Sequence, residues 1–307
     1  MNSKEKSILS NKVVATLAAI LCTFLWGSAY PAVKLGYELF NVGADDTAAK
    51  LAFAGVRFFL SGLIVLIFFR AQNKTKVLTI SFNKNFWQKV VILALVQTTI
   101  HYYFYYIGLS YTTGAKASIL NTLAVFFSAL LAHMFYKDDR LNLAKSIGIL
   151  VGLFAVVIVN YESKMGLTIN IRGEGYILIA SLFTALASLY TKKASESVDP
   201  VLLSGSQLTV GGALLLVIGL LMGSTFPISN PKGLLLLLYM ASLSSVAFSL
   251  WAALLKHNKV SSITIFFFLV PVFGTLLSVL VLKESVMKIQ YLIALPAVAI
   301  GIYLVNK

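Results

Sequence analysis

The feature that most constrains this chain is a series of ten apolar runs, each about as long as a bilayer-crossing helix needs to be. The first five fall at Val13 to Val33, Leu51 to Phe69, Val90 to Gly108, Ala115 to Phe135 and Leu143 to Val159. A second five follow at Gly175 to Tyr190, Val201 to Met222, Leu234 to Leu255, Ile263 to Leu282 and Ile289 to Val305. Between the sets lies the polar stretch "YESKMGLTINIRGE", Tyr161 to Glu174. No soluble core could enclose this much apolar surface: 59% of the 307 residues are hydrophobic and 12% are charged, against about a quarter charged in soluble domains. The pattern predicts an all-α membrane protein with ten transmembrane helices.

The two sets can be laid on each other. "GVRFFLSGLIVL" from Gly55 runs without a gap against "GSQLTVGGALLL" from Gly205, which pairs Arg57 with Gln207. The long stretch from Tyr105 likewise runs against the one from Trp251, pairing Lys137-Asp138 with Lys283-Glu284. Identities are few, so register and hydropathy carry the match, as they do in transporter repeats. Two five-helix repeats follow, over residues 13–160 and 173–305. An odd number of spans per repeat makes the second repeat inverted. Loops on the side of the N-terminus hold roughly twice as many Lys and Arg as the others, which predicts a multi-pass protein of the plasma (inner) membrane with both termini cytoplasmic.

The formal charge of +14 would point a soluble protein toward nucleic acid. Here the cations sit between apolar runs, so topology accounts for them and no nucleic-acid partner is expected. Lys4, Lys6 and Lys12 ahead of an apolar run, with "GSA" after it, also resemble a signal peptide; the repeat requires the segment to be kept. Cys22 is the single cysteine, which excludes an intramolecular disulfide, and three His without zinc-like spacing give no metal site. No cofactor is expected. The partners expected are the bilayer and a small-molecule substrate, with monomer and homodimer both open.

The chain resembles the drug/metabolite transporter superfamily, in its ten-helix EamA type. The resemblance rests on "LWGSAYPAVK" in the first run, "GVRFFLSGL" in the second, "GAKASIL" opening the fourth, and the "KDD" and "KES" that close the fourth and ninth. Where that family often has a Pro in the fourth helix this chain has Val125, while the ninth run keeps Pro271. The resemblance implies a secondary transporter, most plausibly an exporter of an amino acid or a related carboxylate or zwitterion, working by alternating access. It also leaves a polyprenyl-phosphate or lipid flippase as the alternative. An intramembrane enzyme acting on a lipid-linked substrate commonly needs carboxylates to hold Mg²⁺ and pyrophosphate, and no such cluster exists, so the chain reads as a transporter and not an enzyme.

Several residues within the runs are candidates for binding or gating. Pro31 frees the carbonyl of Gly27, next to the soft Gly27-Ser28 pair, and pushes Tyr30 away from helical geometry, which predicts a bent or loosened first helix. Trp26, Ser28 and Tyr30 then become substrate contacts, or an interfacial aromatic belt. In the third run Gln97, His101 and Tyr105 share a face. Arg57 either snorkels or is structurally paired. Lys116 can reach the surface, whereas Asn121 must find a helix, water or substrate. Hydroxyl stripes run through Ser181, Thr184, Ser188 and Thr191, and through Ser242, Ser245 and Ser249; they suit helix packing, with Ser188, Ser245, Ser249 and Trp251 as candidate cargo contacts. Gly27, Pro31, Arg57, Gln207 and Pro271 are candidate gating or structural positions. No Asp or Glu falls well inside a run, so His101 is the one midhelix group suited to proton coupling, and uniport or exchange is the simpler expectation.

Overall fold

The computed structural model describes residues 7–43, 45–72, 83–112, 114–160, 170–224, 230–282 and 290–307, and all regular structure among them is helical. α1 is Lys12–Leu39 and α2 Thr47–Gln72. α3 is Lys84–Ser110, and α4 comes in two pieces, Gly114–Asn121 and Leu123–Phe135. α5 is Leu143–Asn160, α6 Ile171–Ala194, α7 Pro200–Leu221 and α8 Pro231–His257. α9 runs through Val260–Thr264, a 3₁₀ turn at Ile265–Phe268 and Leu269–Leu282; α10 is Gln290–Asn306. Helix starts follow local chemistry. Asn11, Asn83, Asp199 and Asn230 each accept backbone N–H groups of the first turn, with Pro200 and Pro231 at the first helical positions.

Eight of these helices are long and apolar enough to cross a membrane. The other two, α5 and α10, have 18 and 17 residues, or about 26 Å at 1.5 Å per residue, and they pack against each other.

The packing is two-fold. α2 lies on α7 and α5 on α10; α1 touches α8 and α9, as α6 touches α3 and α4; α8 touches α2, as α3 touches α7. Each contact becomes another when the halves are exchanged. Direction is fixed at the α2–α7 crossing, where Ala52, Gly55, Phe59 and Gly62 meet Gly219, Leu216, Gly212 and Thr209 in turn. Numbers rise on one helix as they fall on the other, so equivalent helices are antiparallel and the second five-helix repeat is inverted. The approach requires glycine: a Cβ on Gly55, Gly62 or Gly212 would collide with the opposing backbone. The Gly148 and Gly152 pair on α5 works similarly, Gly148 against the Gly301 carbonyl and Gly152 against the Phe268 ring.

The hydrogen bonds repeat the symmetry. Arg57 Nε and Nη2 donate to Ser244 Oγ at 3.1 and 2.8 Å, and Thr98 Oγ1 donates to Gln207 Oε1 at 2.8 Å. Arg57 and Gln207 are register mates. So are Thr98 and Ser244, which stand as far before Tyr105 and Trp251 as each other. The next pair follows suit, with Ser245 Oγ on the Ser61 carbonyl at 2.9 Å and Thr99 Oγ1 on the Gly211 carbonyl at 3.5 Å.

The structure departs from or decides four sequence readings. α1 runs through Pro31 to Leu39 and keeps Tyr30 helical. One lost hydrogen bond is outweighed by close packing on both sides of it, Gly27 on Phe273 and Gly36 on Phe53. α4 breaks at Thr122 without a Pro, where the Thr122 hydroxyl donates to the Ile119 carbonyl at 2.6 Å; this is local competition for a helical acceptor. α3 widens into a π turn over Ala94–Ile100, so Gln97 leaves the regular face that would align it with His101 and Tyr105. Arg57 does not snorkel: it is 4% exposed and turned to Ser244. Lys4, Lys6, Lys283, Glu284 and the part of the Tyr161 to Glu174 stretch before Asn170 lie outside the described residues, as does the side chain of Lys116.

Candidate functional site

Where the halves meet, aromatic rings form a continuous chain. Trp251 lies 5.0 Å from Trp26, which lies 5.4 Å from Phe248; Phe248 is 6.1 Å from Phe58, and Phe58 4.5 Å from Tyr102. Tyr102 is edge-on to His101 at 4.6 Å, and His101 stacks on Tyr105 at 5.9 Å. Phe267 closes the other end against Trp26 and Trp251, at 5.6 and 4.6 Å. Helices α1, α2, α3, α8 and α9 thus share one wall. The freed carbonyl after the Pro271 ring falls at Phe267, where α9 has its 3₁₀ turn.

His101 is tied to α6. Its Nδ1 is 3.0 Å from the Ala180 carbonyl and 3.0 Å from Thr184 Oγ1. A carbonyl only accepts, so this contact puts the proton on Nδ1 and leaves Nε2 as an acceptor. Tyr30 and Tyr105 turn their hydroxyls toward one another.

The described residues also leave buried polar atoms unsatisfied. Trp26 Nε1, Asn121 Oδ1 and Ser249 Oγ are buried without a hydrogen-bond partner among the described residues, and so is Gln207 Nε2, while the Tyr37 hydroxyl turns toward that of Tyr106. Asn121 sits at the break in α4, whose first piece packs on α6 and α3. Other candidates are occupied. Ser28 donates to the Leu25 carbonyl and accepts from the Tyr239 hydroxyl, both at 2.8 Å; Ser188 donates back to the Thr184 carbonyl at 3.0 Å, and Ser245 is shared between the Ala241 and Ser61 carbonyls. The structure therefore brings Trp26, Tyr30, His101, Tyr105 and Trp251 to one wall, and turns Ser28, Ser188 and Ser245 to helix packing. Gln97 is half-buried.

Sequence reasoning missed Tyr37, Phe58, Tyr102, Phe248 and Phe267, which are indistinguishable from lipid-facing aromatics until neighbours are known. It also passed over Asp139, the last residue of "KDD". Asp139 is 2% exposed and accepts from Lys145 Nζ at 2.6 Å, from the Ser261 N–H at 2.9 Å and from the Ser261 hydroxyl. Around it, Lys192 Nζ donates to the Asn258 carbonyl, Asn258 Nδ2 to the Leu9 carbonyl at 3.0 Å, and Tyr136 Oη to the Leu189 carbonyl at 3.2 Å. This end of the bundle is tied across the two halves.

Two inverted five-helix repeats closing on a polar and aromatic seam are the architecture of a repeat-built membrane transporter. The chain belongs to the EamA-like transporter family, which it matches over residues 13–161 and again over 171–307; it is a multi-pass membrane transporter of the drug/metabolite type. It is 27% identical to an uncharacterized transporter of Synechocystis sp., covering 98% of this chain and 92% of that one. To the uncharacterized transporter YvbV of Bacillus subtilis it is 26% identical, over 95% and 92%. A solved crystal structure superposes with a TM-score of 0.77 over 96% of both chains at 18% identity, a likeness of fold.

Proposed function

We propose that the protein moves an amino acid or a related carboxylate or zwitterion across the plasma membrane by alternating access, with both termini cytoplasmic. The observation that carries this reading is the unequal chemistry of symmetry-related wall positions. The register pairs Trp251 with Tyr105 and Phe267 with Asn121. One side of the seam is therefore a cluster of rings, while its counterpart offers a hydroxyl, an imidazole and an unpartnered amide oxygen. A compound with an apolar body and a polar head suits such a pair of walls. Buried polar atoms without partners are costly, and a cargo that bonds to Trp26 Nε1, Asn121 Oδ1 and Ser249 Oγ removes that cost only while it is bound. The Lys and Arg asymmetry of the loops supports the orientation. With no acidic residue well inside a span, export runs by facilitation or exchange down a gradient.

The test is counterflow in proteoliposomes preloaded with unlabelled amino acids, with uptake of labelled phenylalanine and of a labelled amino-acid mixture as readouts. Uptake should exceed that of protein-free vesicles, and Asn121→Ala should reduce it about tenfold, the equivalent of one lost hydrogen bond. Absence of counterflow for every amino acid in the mixture would sink the assignment.

A further inference from the structure

Arg57 has a charge that the described residues leave unanswered. Its Nε and Nη2 use one neutral acceptor, Ser244 Oγ, and its guanidinium lies 5.0 Å from the centre of the Phe58 ring. A guanidinium has five N–H donors and keeps its proton, so three donors have no acceptor among the described residues. No carboxylate pairs with it there either. The α2–α7 crossing is symmetric about the stretch between Phe59 and Gly62, so Arg57 stands about one turn, roughly 5 Å, from the two-fold axis. An unpaired cation at that depth is unfavourable until an anion answers it.

The surroundings suit an anion. Tyr37, Tyr102 and Tyr106 are within electrostatic reach of the guanidinium, and the Tyr37 hydroxyl turns toward that of Tyr106. The free edge of the fork, Nη1 with the second hydrogen of Nη2, matches two oxygens of a carboxylate. The register mate of Arg57 is Gln207, a neutral amide, so the charge is present once in the two-fold seam.

We propose that Arg57, with Tyr37 beside it, is an anion subsite that takes a carboxylate, and that this carboxylate belongs to the transported compound. The inference rests on the proposed carboxylate cargo and fixes where its charged head sits. It also orients the cargo, with the head at Arg57 and the apolar body toward Trp26 and Trp251.

The experiment has two arms on the purified full chain. In the first, thermal unfolding is followed as sodium acetate replaces the bulky sulfonate buffer HEPES at constant ionic strength. Acetate should raise the Tm of wild type by about 2–4 °C, leave Arg57→Gln unmoved, and move Arg57→Lys less than wild type, because the ammonium lacks the fork. An unmoved wild type, or an equal rise in Arg57→Gln, would overturn the subsite. In the second arm, phenylalanine counterflow is measured without chloride or acetate. If the cargo supplies the carboxylate, wild type transports without either ion and Arg57→Gln loses about tenfold. Transport by wild type that requires chloride or acetate would assign the subsite to a free anion and overturn the cargo half of the proposal. An Arg57-dependent acetate shift without counterflow of any amino acid would keep the subsite and reject the amino-acid reading.

Discussion

Asp139 shows at the level of one residue how this chain makes a buried charge tolerable. Burial by itself would raise its carboxyl above the ordinary 3.8, but the hydrogen bonds from Lys145 and from both donors of Ser261 outweigh burial and hold it below that value. The sign follows: a carboxyl depressed in the folded state contributes stability above its unfolded pKa, and loses it as pH falls through the lower folded value. The tie should therefore be constant from pH 5 to 8 and fail only in acid. Replacing Asp139 by Asn leaves Lys145 buried without a counter-charge, for a loss of about 3 kcal/mol at pH 7. Unfolding of both proteins in detergent should show a gap that is flat from pH 5 to 8 and narrows below about pH 4. A gap that changes between pH 6 and 8 would mean that another group carries the cluster; those facing it are Lys145, Lys192 and Tyr136. Arg57 is the contrasting case: its charge is as deeply buried, and no carboxylate among the described residues answers it.

At the level of the helix, the α2–α7 contact is the most demanding. Gly212→Val would push a branched side chain into the backbone of Phe58 and Phe59, and overpacking of this kind costs about 1–3 kcal/mol. Gly175→Ala meets nothing nearer than 3.6 Å and should leave stability unchanged. Equal melting of the two variants would mean that the crossing can open at no cost. These helices were legible in the sequence because lipid leaves few choices: apolar runs long enough to span must be helical, and the register of Gly55 on Gly205 survives as the antiparallel contact. What local rules misjudged depended on neighbours. Pro31 reads as a bend that takes Tyr30 out of helical geometry, yet Tyr30 stays helical, with Gly27 and Gly36 on either side held by α9 and α2. Thr122 reads as one more hydroxyl, yet its bond to Ile119 interrupts α4 where Val125 replaces the expected Pro. The π turn of α3 has no sequence signature. Its consequence is that Thr98, not Gln97, meets α7, through Gln207.

At the scale of the whole molecule, the two-fold constrains transport. An exact inverted repeat would have states of equal energy open to either side, each turned into the other by the two-fold axis in the membrane plane. This chain departs from that equality. One end is tied by Asp139, Lys145 and Ser261, and the register gives Asp139 the uncharged Ser285 as its counterpart and Lys145 the counterpart Tyr291. The N-terminal 3₁₀ turn, Ile8–Ser10, joins the tied end through Leu9 and Asn258, so the positive-inside reading makes it the cytoplasmic end. Cysteines introduced one at a time at Lys137, beside the tie, and at exposed Lys232, at the start of α8, in a Cys22→Ser background, test the orientation. In sealed cells an impermeant maleimide should label position 232 and spare position 137 until the membrane is permeabilised. Labelling of 137 alone would turn the whole molecule over, while equal labelling of both in intact cells would contradict the inverted repeat. Adding Asp139→Ala to the 137 variant then separates orientation from gating. Position 137 should stay protected in sealed cells, because loosening the tie exposes it to the cytoplasm and not to the outside, whereas the reagent should react several-fold faster there in inside-out vesicles. An unchanged rate in those vesicles would make the tie a structural clamp with no part in opening.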